Sequence, residues 1–394
     1  MIPLALSVIS WLHVAVHGFL SEHNPNLDLL GRLALVFVIY QALSTLHRWS
    51  LAKDENCRMA IPIKYKHRKE LPSHPHAHPL YRRQFRLSHC QSLWLHTKWW
   101  LPSVNATWKG LVFIVHGMNE HASRYHHVVQ YLTRHGYAVF AMDHRGHGVS
   151  EGERLYVERF EYFAADYFEF VHSILALEPH SEYTRAIHMQ LPANIRMNQL
   201  PRFLLGHSMG ALISLDIALT YNDLAWTGVI LSAGALKLDP ISSPPLKVLM
   251  AKLLGNLLPK MRFHAAESPF MVHDLTTHER ILRDPLNSKL GPTARMAAEF
   301  IGAINRIQRQ AECFTTPLLM FHGEEDKLTT PSGSSEFFAR AGSKNKQLHM
   351  LPGLYHELFN EHCRDDLFHA IVTWADSLTA PTTTSAPTDA PHDL

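Results

Sequence analysis

Short apolar runs that alternate with helical patterns constrain the fold of this chain more than any other feature. The apolar runs lie at 110–117, 137–143, 202–207, 227–233, 317–323 and 346–353. Most of them end in glycine or a polar residue, which is typical of strands buried on both faces. The helical patterns lie at 125–135, 160–177, 209–222, 332–341 and 364–377. With a hairpin expected at 84–88 and 92–99, this alternation predicts an α/β fold, a mostly parallel eight-stranded sheet with helices on both faces.

Two parts of the chain break this alternation. The range from about 235 to 310 contains apolar and helical segments but no clear strand, and it lies between two predicted core strands. We therefore expect a helical cap inserted into a domain that spans 84–378. The last residues, 379–394, are rich in Thr, Pro and Ala, and this composition predicts a disordered tail.

The first fifty residues are strongly apolar. Residues 1–20 contain no Asp, Glu, Lys or Arg, and a second apolar run at 27–46 is interrupted by Arg32. A membrane-spanning helix needs about 20 mostly apolar residues, so we expect one or two segments within 1–50 to associate with a membrane. A helical pair buried against the following domain is the alternative. A signal peptide is disfavoured because residues 1–20 lack a basic residue.

Basic residues accumulate after the second apolar run, beginning with Arg48 and Lys53. By the positive-inside rule this side faces the cytosol, so we expect the folded domain in the cytosol. We expect the membrane itself to be an intracellular one. The triplet Asn105-Ala106-Thr107 would accept a glycan only if that domain were luminal. Residues 51–83 are expected to form a basic linker, whose SHPHAHP stretch at 73–79 suits a solvated segment better than a metal site.

Composition argues against several kinds of partner. The net charge of +2 is small, which disfavours nucleic acid. The four cysteines are scattered without a CxxC pair, so they indicate neither a disulfide framework nor a zinc site, and they fit a reducing compartment. The chain has 30 histidines, so any single histidine is weak support for a functional role. We expect no cofactor and no metal ion.

The sharpest motif is GHSMG at 206–210, a G-x-S-x-G that directly follows the predicted strand RFLL. On a tight turn from a strand into a helix, Gly206 and Gly210 must be small so that the two elements approach closely. Such an elbow, made of Gly206, His207 and Gly210 around the serine, lifts the hydroxyl above the sheet. Ser208 is therefore the predicted nucleophile.

A serine hydroxyl becomes a good nucleophile when a base takes its proton and an acid orients that base. In folds with this elbow the order along the chain is Ser, then Asp or Glu, then His. Downstream of Ser208, Asp326 follows the strand PLLMF and His356 follows the next strand. Both positions lie beyond the carboxyl ends of strands, on the same rim of the sheet as Ser208. We predict Asp326 as the acid and His356 as the base.

Nearby residues offer alternatives to this assignment. Glu324, Glu325 and Glu357 compete for the role of acid, but we expect them to be solvated neighbours, and His322 is a candidate supporting residue. Asp143 also ends a strand on this rim, but it precedes the serine, and its neighbour Arg145 offers a structural ion pair instead.

The tetrahedral intermediate of acyl transfer requires two backbone N–H donors. One should be Met209, the residue after the nucleophile. The other should lie on the loop His116-Gly117-Met118 that follows the strand GLVFIV, where Met118 is the best candidate by position.

Several motifs resemble the monoacylglycerol lipase and lysophospholipase family of α/β-hydrolases. They are HGMNEHASRY at 116–125, FAMDHRGHGVSEGER at 140–154, LLGHSMGAL at 204–212, HGEEDKLTTP at 322–331 and LPGLYHELFNE at 351–361. The resemblance covers roughly 84–377. It implies the α/β-hydrolase fold, the same triad and oxyanion donors, a cap with an apolar entrance for an acyl chain, and structural roles at the rim for Glu120, Arg124 and Arg145.

The chain departs from this family in four places. The loop HGMNEH has Met118 and Asn119 where relatives have a small residue and glycine, which is expected to narrow the pocket. Ala211 stands where a second glycine often follows GHSMG, and the stretch 178–201 is longer than a family loop requires. The apolar N-terminal region and basic linker are not typical of soluble members.

These features predict a serine hydrolase that cleaves the carboxylic ester of a lipid, a monoacylglycerol or a lysophospholipid. A transacylase with the same triad, in which an alcohol or lysolipid replaces water, is the second hypothesis. A non-catalytic lipid-binding protein is the third. Nothing in the sequence indicates an oligomeric state.

Overall fold

The sheet predicted from the sequence is present. A computed structural model describes residues 85–89, 93–176, 182–241, 243–263 and 270–379. Within them lie eight strands: β1 (Phe85–Leu87), β2 (Trp94–Trp100), β3 (Gly110–Val115), β4 (Tyr137–Met142), β5 (Arg202–His207), β6 (Gly228–Ser232), β7 (Leu318–Gly323) and β8 (Lys346–Leu351). They form one sheet in the order β1-β2-β4-β3-β5-β6-β7-β8. β2 is antiparallel to β1 and β4, and the other pairs are parallel.

Helices pack on both faces of the sheet. The described residues contain α1 (His126–Arg134), α2 (Glu161–Leu175), α3 (Glu182–His188), α4 (Met209–Thr220), α5 (Pro245–Leu257), α6 (Leu275–Arg283), α7 (Ala294–Arg309), α8 (Pro331–Arg340) and α9 (Arg364–Thr379). Alternate residues of β3 face opposite sides, because successive side chains of a strand point to opposite faces. Phe113 belongs to the core with α2, α4 and α7, whereas Ile114 belongs to the core with α1 and α9.

The burial of the central strands explains why their sequences are predominantly apolar. Every residue of β3, β4, β6 and β7 is buried. The edge strand β8 is only partly buried, with exposed residues alternating along its first half. The predicted α/β fold with a mostly parallel eight-stranded sheet is confirmed.

The range 235–310 separates β6 from β7 and contains α5, α6 and α7. α5 and α7 approach closely at Gly255, where an added Cβ would lie 2.6 Å from the Cβ of Ala298. Ile304 and Ile307 of α7 belong to the core beneath the sheet. The helix α3 falls in the stretch 178–201, for which no helix was predicted from the sequence.

Several predictions lie outside the described residues. They concern the apolar segments within 1–50, the basic linker 51–83 with its SHPHAHP stretch, and the tail beyond Thr379. Among the residues that are described, no helix has the length and apolar character needed to cross a membrane.

Candidate active site

The turn between β5 and α4 holds Ser208 in an unusual backbone conformation. Its φ is 54° and its ψ is −118°, a region that non-glycine residues rarely adopt and that costs about 1–3 kcal/mol. Its backbone N–H donates to the carbonyl oxygen of Ser232 (3.0 Å), and its carbonyl oxygen accepts from Ala235 N–H (3.1 Å). Ser208 is partly exposed, whereas His207 and Met209 are buried. The strained turn therefore presents this one side chain at the carboxyl end of β5.

Both glycines of the elbow are required by close backbone approaches. A Cβ on Gly206 would lie 2.5 Å from the carbonyl oxygen of Gly210. A Cβ on Gly210 would clash with the carbonyl oxygen of Val115 and lie 2.6 Å from that of His116. Real Cβ atoms do not come this close to backbone atoms, so α4 packs against the end of β3 only with glycine at these positions.

Gly210→Ala is expected to lower the free energy of unfolding by about 3 kcal/mol or more, because the obstructing atoms belong to the backbone and cannot rotate away. Thermal unfolding measures the effect as a fall in Tm. Gly302→Ala is the matched control, since a Cβ there meets nothing within 4 Å and alanine favours the helix α7. A Gly210→Ala protein as stable as the Gly302→Ala protein would contradict the close approach.

The predicted acid and base lie together at the carboxyl ends of β7 and β8. His356 Nδ1 is 2.7 Å from Asp326 Oδ2, and both side chains are buried. Asp326 Oδ1 also accepts from the backbone N–H groups of Leu328 (2.8 Å) and Thr329 (3.1 Å), which fix the carboxylate. The hydrogen bond leaves Nε2 as the nitrogen of His356 that can take a proton.

The charges of this pair stabilise each other. Burial alone would raise the pKa of Asp326, but His356 and hydrogen bonds outweigh it and hold that pKa well below the ordinary value. Burial lowers the pKa of His356, but the negative charge of Asp326 outweighs it, and the net pKa is raised. Asp326 is therefore ionised at neutral pH and stabilises a proton on His356.

The buried side chain of His322 contacts the carboxylate of Asp326. Its Nε2 lies 2.9 Å from the carbonyl oxygen of Thr329 and 3.2 Å from Asp326 Oδ2. Both neighbours are acceptors, so Nε2 carries the proton and Nδ1 accepts from the hydroxyl of Ser334 (2.7 Å). The side chain is fully buried. His322 thus has the supporting position that the sequence suggested.

The loop after β3 abuts the elbow. A Cβ on Gly117 would lie 3.1 Å from the Cβ of Ser208, which places the backbone of this loop beside the serine. Gly117 N–H donates to Glu120, and the Tyr125 hydroxyl donates to the same carboxylate oxygen (2.7 Å). Met118, the next residue, is partly exposed in the turn. The two predicted oxyanion donors therefore belong to segments that meet at Gly117 and Ser208.

The expectation that Glu357 is solvated was wrong. Glu357 is buried, and its carboxylate lies 3.2 Å from Arg124, which also pairs with Glu120 (3.6 Å). Burial alone would raise the pKa of Glu357, but Arg124 outweighs it and the pKa falls to about 2. Glu324 and Glu325 are exposed, as expected. Arg124 thus joins the loop after β3, through Glu120, to the loop that carries His356.

Asp143 has a structural position on this rim. Its carboxylate accepts from His96 Nδ1 (3.1 Å) and from the backbone N–H groups of Ala122 (2.8 Å) and Val149 (2.9 Å). The ion pair of Arg145 was expected with Asp143, but Arg145 pairs with Asp166 (2.8 Å) instead. Asp143 therefore fastens three segments, and Arg145 is held by α2.

A buried histidine cluster at the start of the loop after β3 was missed from the sequence. The ring centroid of His116 lies 4.1 Å from that of His144 and 5.5 Å from that of His147. Burial lowers the pKa of His144 to about 4 and that of His147 to about 3, so these rings are neutral at pH 7. With 30 histidines in the chain, these three did not stand out. The sequence signal that could have identified the cluster is that all three residues follow strands that end on the same rim.

The strand order, the serine elbow and the aspartate–histidine pair are those of an α/β-hydrolase. The family model described as serine aminopeptidase, S33 matches residues 106–363. The monoglyceride lipase of Rattus norvegicus is 32% identical over 71% of this chain and 86% of its own length. The monoacylglycerol lipase of Mycolicibacterium smegmatis is 32% identical over 70% and 90%, respectively.

Solved structures agree on the fold. A Paleococcus ferrophilus monoacylglycerol lipase superposes with a TM-score of 0.61 at 25% identity, over 72% of this chain and 99% of that one. A soluble variant of the Saccharomyces cerevisiae monoglyceride lipase has a TM-score of 0.64 at 21% identity, over 76% and 95%. The chain belongs to the serine aminopeptidase S33 family of α/β-hydrolases and is of the monoacylglycerol lipase type. The predicted enzyme class, an ester hydrolase, is confirmed.

Proposed function

We propose that this chain hydrolyses the carboxylic esters of lipids, monoacylglycerols or lysophospholipids, through an acyl-enzyme on Ser208. The observation that carries the proposal is the 2.7 Å hydrogen bond between His356 Nδ1 and Asp326 Oδ2 beside the elbow. The ring centroid of His356 lies 4.9 Å from that of His207, the residue before Ser208. A histidine oriented by an ionised carboxylate therefore lies against the residue that precedes the partly exposed Ser208, which supports the assignment of His356 as the base.

The reaction proceeds by acylation and then deacylation of Ser208, and His356 transfers the proton in both steps. His356 Nε2 takes the hydroxyl proton as Ser208 Oγ forms a bond to the ester carbonyl carbon, and the imidazolium is stabilised by Asp326. His356 then donates this proton to the leaving alcohol as the ester C–O bond breaks. Water, deprotonated by the same Nε2, attacks the acyl-enzyme, and the fatty acid leaves as Ser208 regains its proton.

Two backbone N–H groups are assigned to the negative oxygen that forms in each step. Met209 is the first residue of α4, so its N–H stands at the positive end of the helix dipole. Met118 follows Gly117, whose backbone lies against Ser208. Donors fixed before the reaction stabilise the oxyanion without reorganisation, and one such donor contributes about 10²- to 10³-fold to kcat.

The apolar helix α5, between β6 and β7, supports a lipid substrate. α5 exposes Leu246 (70%), Leu253 (54%) and Leu257 (75%) to solvent. Apolar residues grouped in this way mark surfaces that meet lipid or other apolar partners. Among the relatives, the two lipases named above act on monoacylglycerols by name, and a 27% identical protein of Bacillus subtilis is a phospholipase.

We further propose that this enzyme associates with an intracellular membrane through the apolar segments within 1–50, with residues 84–378 in the cytosol. Two apolar runs of about 20 residues support the association, and the basic residues that follow them support the orientation. Those segments lie outside the described residues.

The test is a fluorophosphonate adduct located by peptide mass spectrometry, together with turnover of monoacylglycerol, lysophosphatidylcholine and a short soluble ester. We expect one adduct, on the peptide containing Ser208, and free fatty acid from at least one lipid. An added acceptor lipid distinguishes the transacylase, which would yield acylated acceptor in place of fatty acid. An adduct on another residue, or no turnover of any ester, would reject the proposal.

A further inference from the structure

Asn119 occupies a backbone conformation that few residues tolerate. It follows Met118 in the loop 116–121 after β3, which we call the oxyanion loop, and its φ is +59°. Asparagine is one of the few non-glycine residues that enter this left-handed region at modest cost. The loop therefore keeps a turn suited to glycine and gains a side chain that can form hydrogen bonds.

The side chain of Asn119 spans from the oxyanion loop to the cap. Its Nδ2 donates to the carbonyl oxygen of Ser288 (3.1 Å), and its Oδ1 accepts from the N–H of the same residue (2.7 Å). The paired bonds set the orientation of the amide, since the reversed group would face donor to donor and acceptor to acceptor. The polar end of Asn119 is thus directed to the cap.

A second contact ties the same two segments together. His121 Nε2 lies 2.9 Å from Asp284 Oδ2, and the His121 side chain is buried. Asp284 also organises its own turn, because its Oδ1 accepts from Leu286 N–H (2.8 Å) and its carbonyl oxygen from Asn287 N–H (3.2 Å). The cap turn 284–288 is therefore an ordered partner for the loop.

The oxyanion loop is also held by contacts within its own part of the chain. Glu120 accepts the N–H of Gly117 and pairs with Arg124. Met118 lies between Gly117, which is bonded to Glu120, and Asn119, which is bonded to Ser288. The direction of the Met118 N–H is consequently set by both attachments, and the one through Asn119 depends on the cap.

We infer that Asn119 is a positioning residue that holds the oxyanion loop to the cap turn 284–288 and so places the Met118 N–H for the reaction. The inference rests on the proposed function. It makes the cap part of the oxyanion site, since a displacement of the turn at Ser288 is transmitted to Met118 through two hydrogen bonds. A misplacement of about 1 Å at such a site can cost about 10²-fold in rate.

The test is Asn119→Gly in the full-length chain, because glycine accepts the same φ and removes both bonds to Ser288. We expect kcat for a short soluble ester to fall by about 10-fold or more with KM within about twofold, since the Met118 N–H that Asn119 positions acts in the transition state. The rate of fluorophosphonate labelling should fall by a similar factor. Hydrogen exchange should become faster at 116–121, whereas Tm should change little.

Asn222→Gly is the matched control, since Asn222 is exposed after α4, at the end of that helix far from Ser208. It should behave as the wild type in all four measurements. Wild-type kcat and labelling in Asn119→Gly would overturn the inference while leaving the proposed function intact. The inference would also be overturned if kcat fell by the same factor as the fraction of molecules that fluorophosphonate can label, because the cause would then be unfolding. An inactive wild-type protein would reject the proposed function and the inference together.

Discussion

Ser208→Ala is expected to lower kcat for ester hydrolysis by about 10⁴-fold or more while leaving the fold intact. The mechanism loses the atom that forms the acyl-enzyme, and water held near His356 is a poor substitute. The backbone of the elbow should survive, because the N–H and carbonyl of residue 208 keep their bonds to Ser232 and Ala235. Alanine already occupies a positive φ at Ala225 (46°) and Ala233 (47°) in this chain.

Fluorophosphonate labelling, steady-state turnover and thermal unfolding measure this result together. Labelling should disappear in Ser208→Ala, and Tm should stay near that of the wild type. Ser335→Ala is the matched control, since Ser335 is exposed on α8, and it should retain both labelling and turnover. Full retention of both activities by Ser208→Ala would refute the assignment of the nucleophile.

The strands and the order of the site residues were predictable because each depends on local pattern. A strand buried on both faces must be apolar throughout, so β3, β4, β6 and β7 are visible as runs in the sequence. Parallel strands bring their carboxyl ends to one rim, which is why residues after β5, β7 and β8 could be expected to meet. The 2.7 Å contact of Asp326 with His356 has this origin.

Features that depend on distant pairing were not predictable. Glu357 follows His356 directly and resembles a surface residue in sequence, yet Arg124, more than 200 positions earlier, neutralises it in the interior. Asn119 and Ser288 are 169 positions apart, and their paired bonds depend on how the segment between β6 and β7 packs against the loop after β3. A pattern of residue types contains no information on either contact.

Asp326→Asn is expected to lower kcat by about 10⁴-fold, because it reverses the tautomer of His356. Asparagine can keep Oδ1 as the acceptor for the N–H groups of Leu328 and Thr329. Its amide then presents N–H donors to His356 Nδ1, which must accept, so Nε2 carries the proton and cannot take one from Ser208. His322 keeps its bond to the Thr329 carbonyl oxygen, so the surrounding structure should persist.

The pH profile of the residual activity distinguishes this cause from a general loss of structure. Catalysis needs neutral His356, so kcat/KM rises as the pH increases through the pKa of this group. Asp326 raises that pKa above the ordinary 6.5 in the wild type, and without its charge burial dominates and lowers the pKa, so the acid limb should move to lower pH. Asp365→Asn, on an exposed carboxylate at the start of α9, is the control and should leave kcat and the acid limb unchanged. An Asp326→Asn protein with kcat within tenfold of the wild type, or with an unmoved acid limb, would show that another carboxylate orients the base.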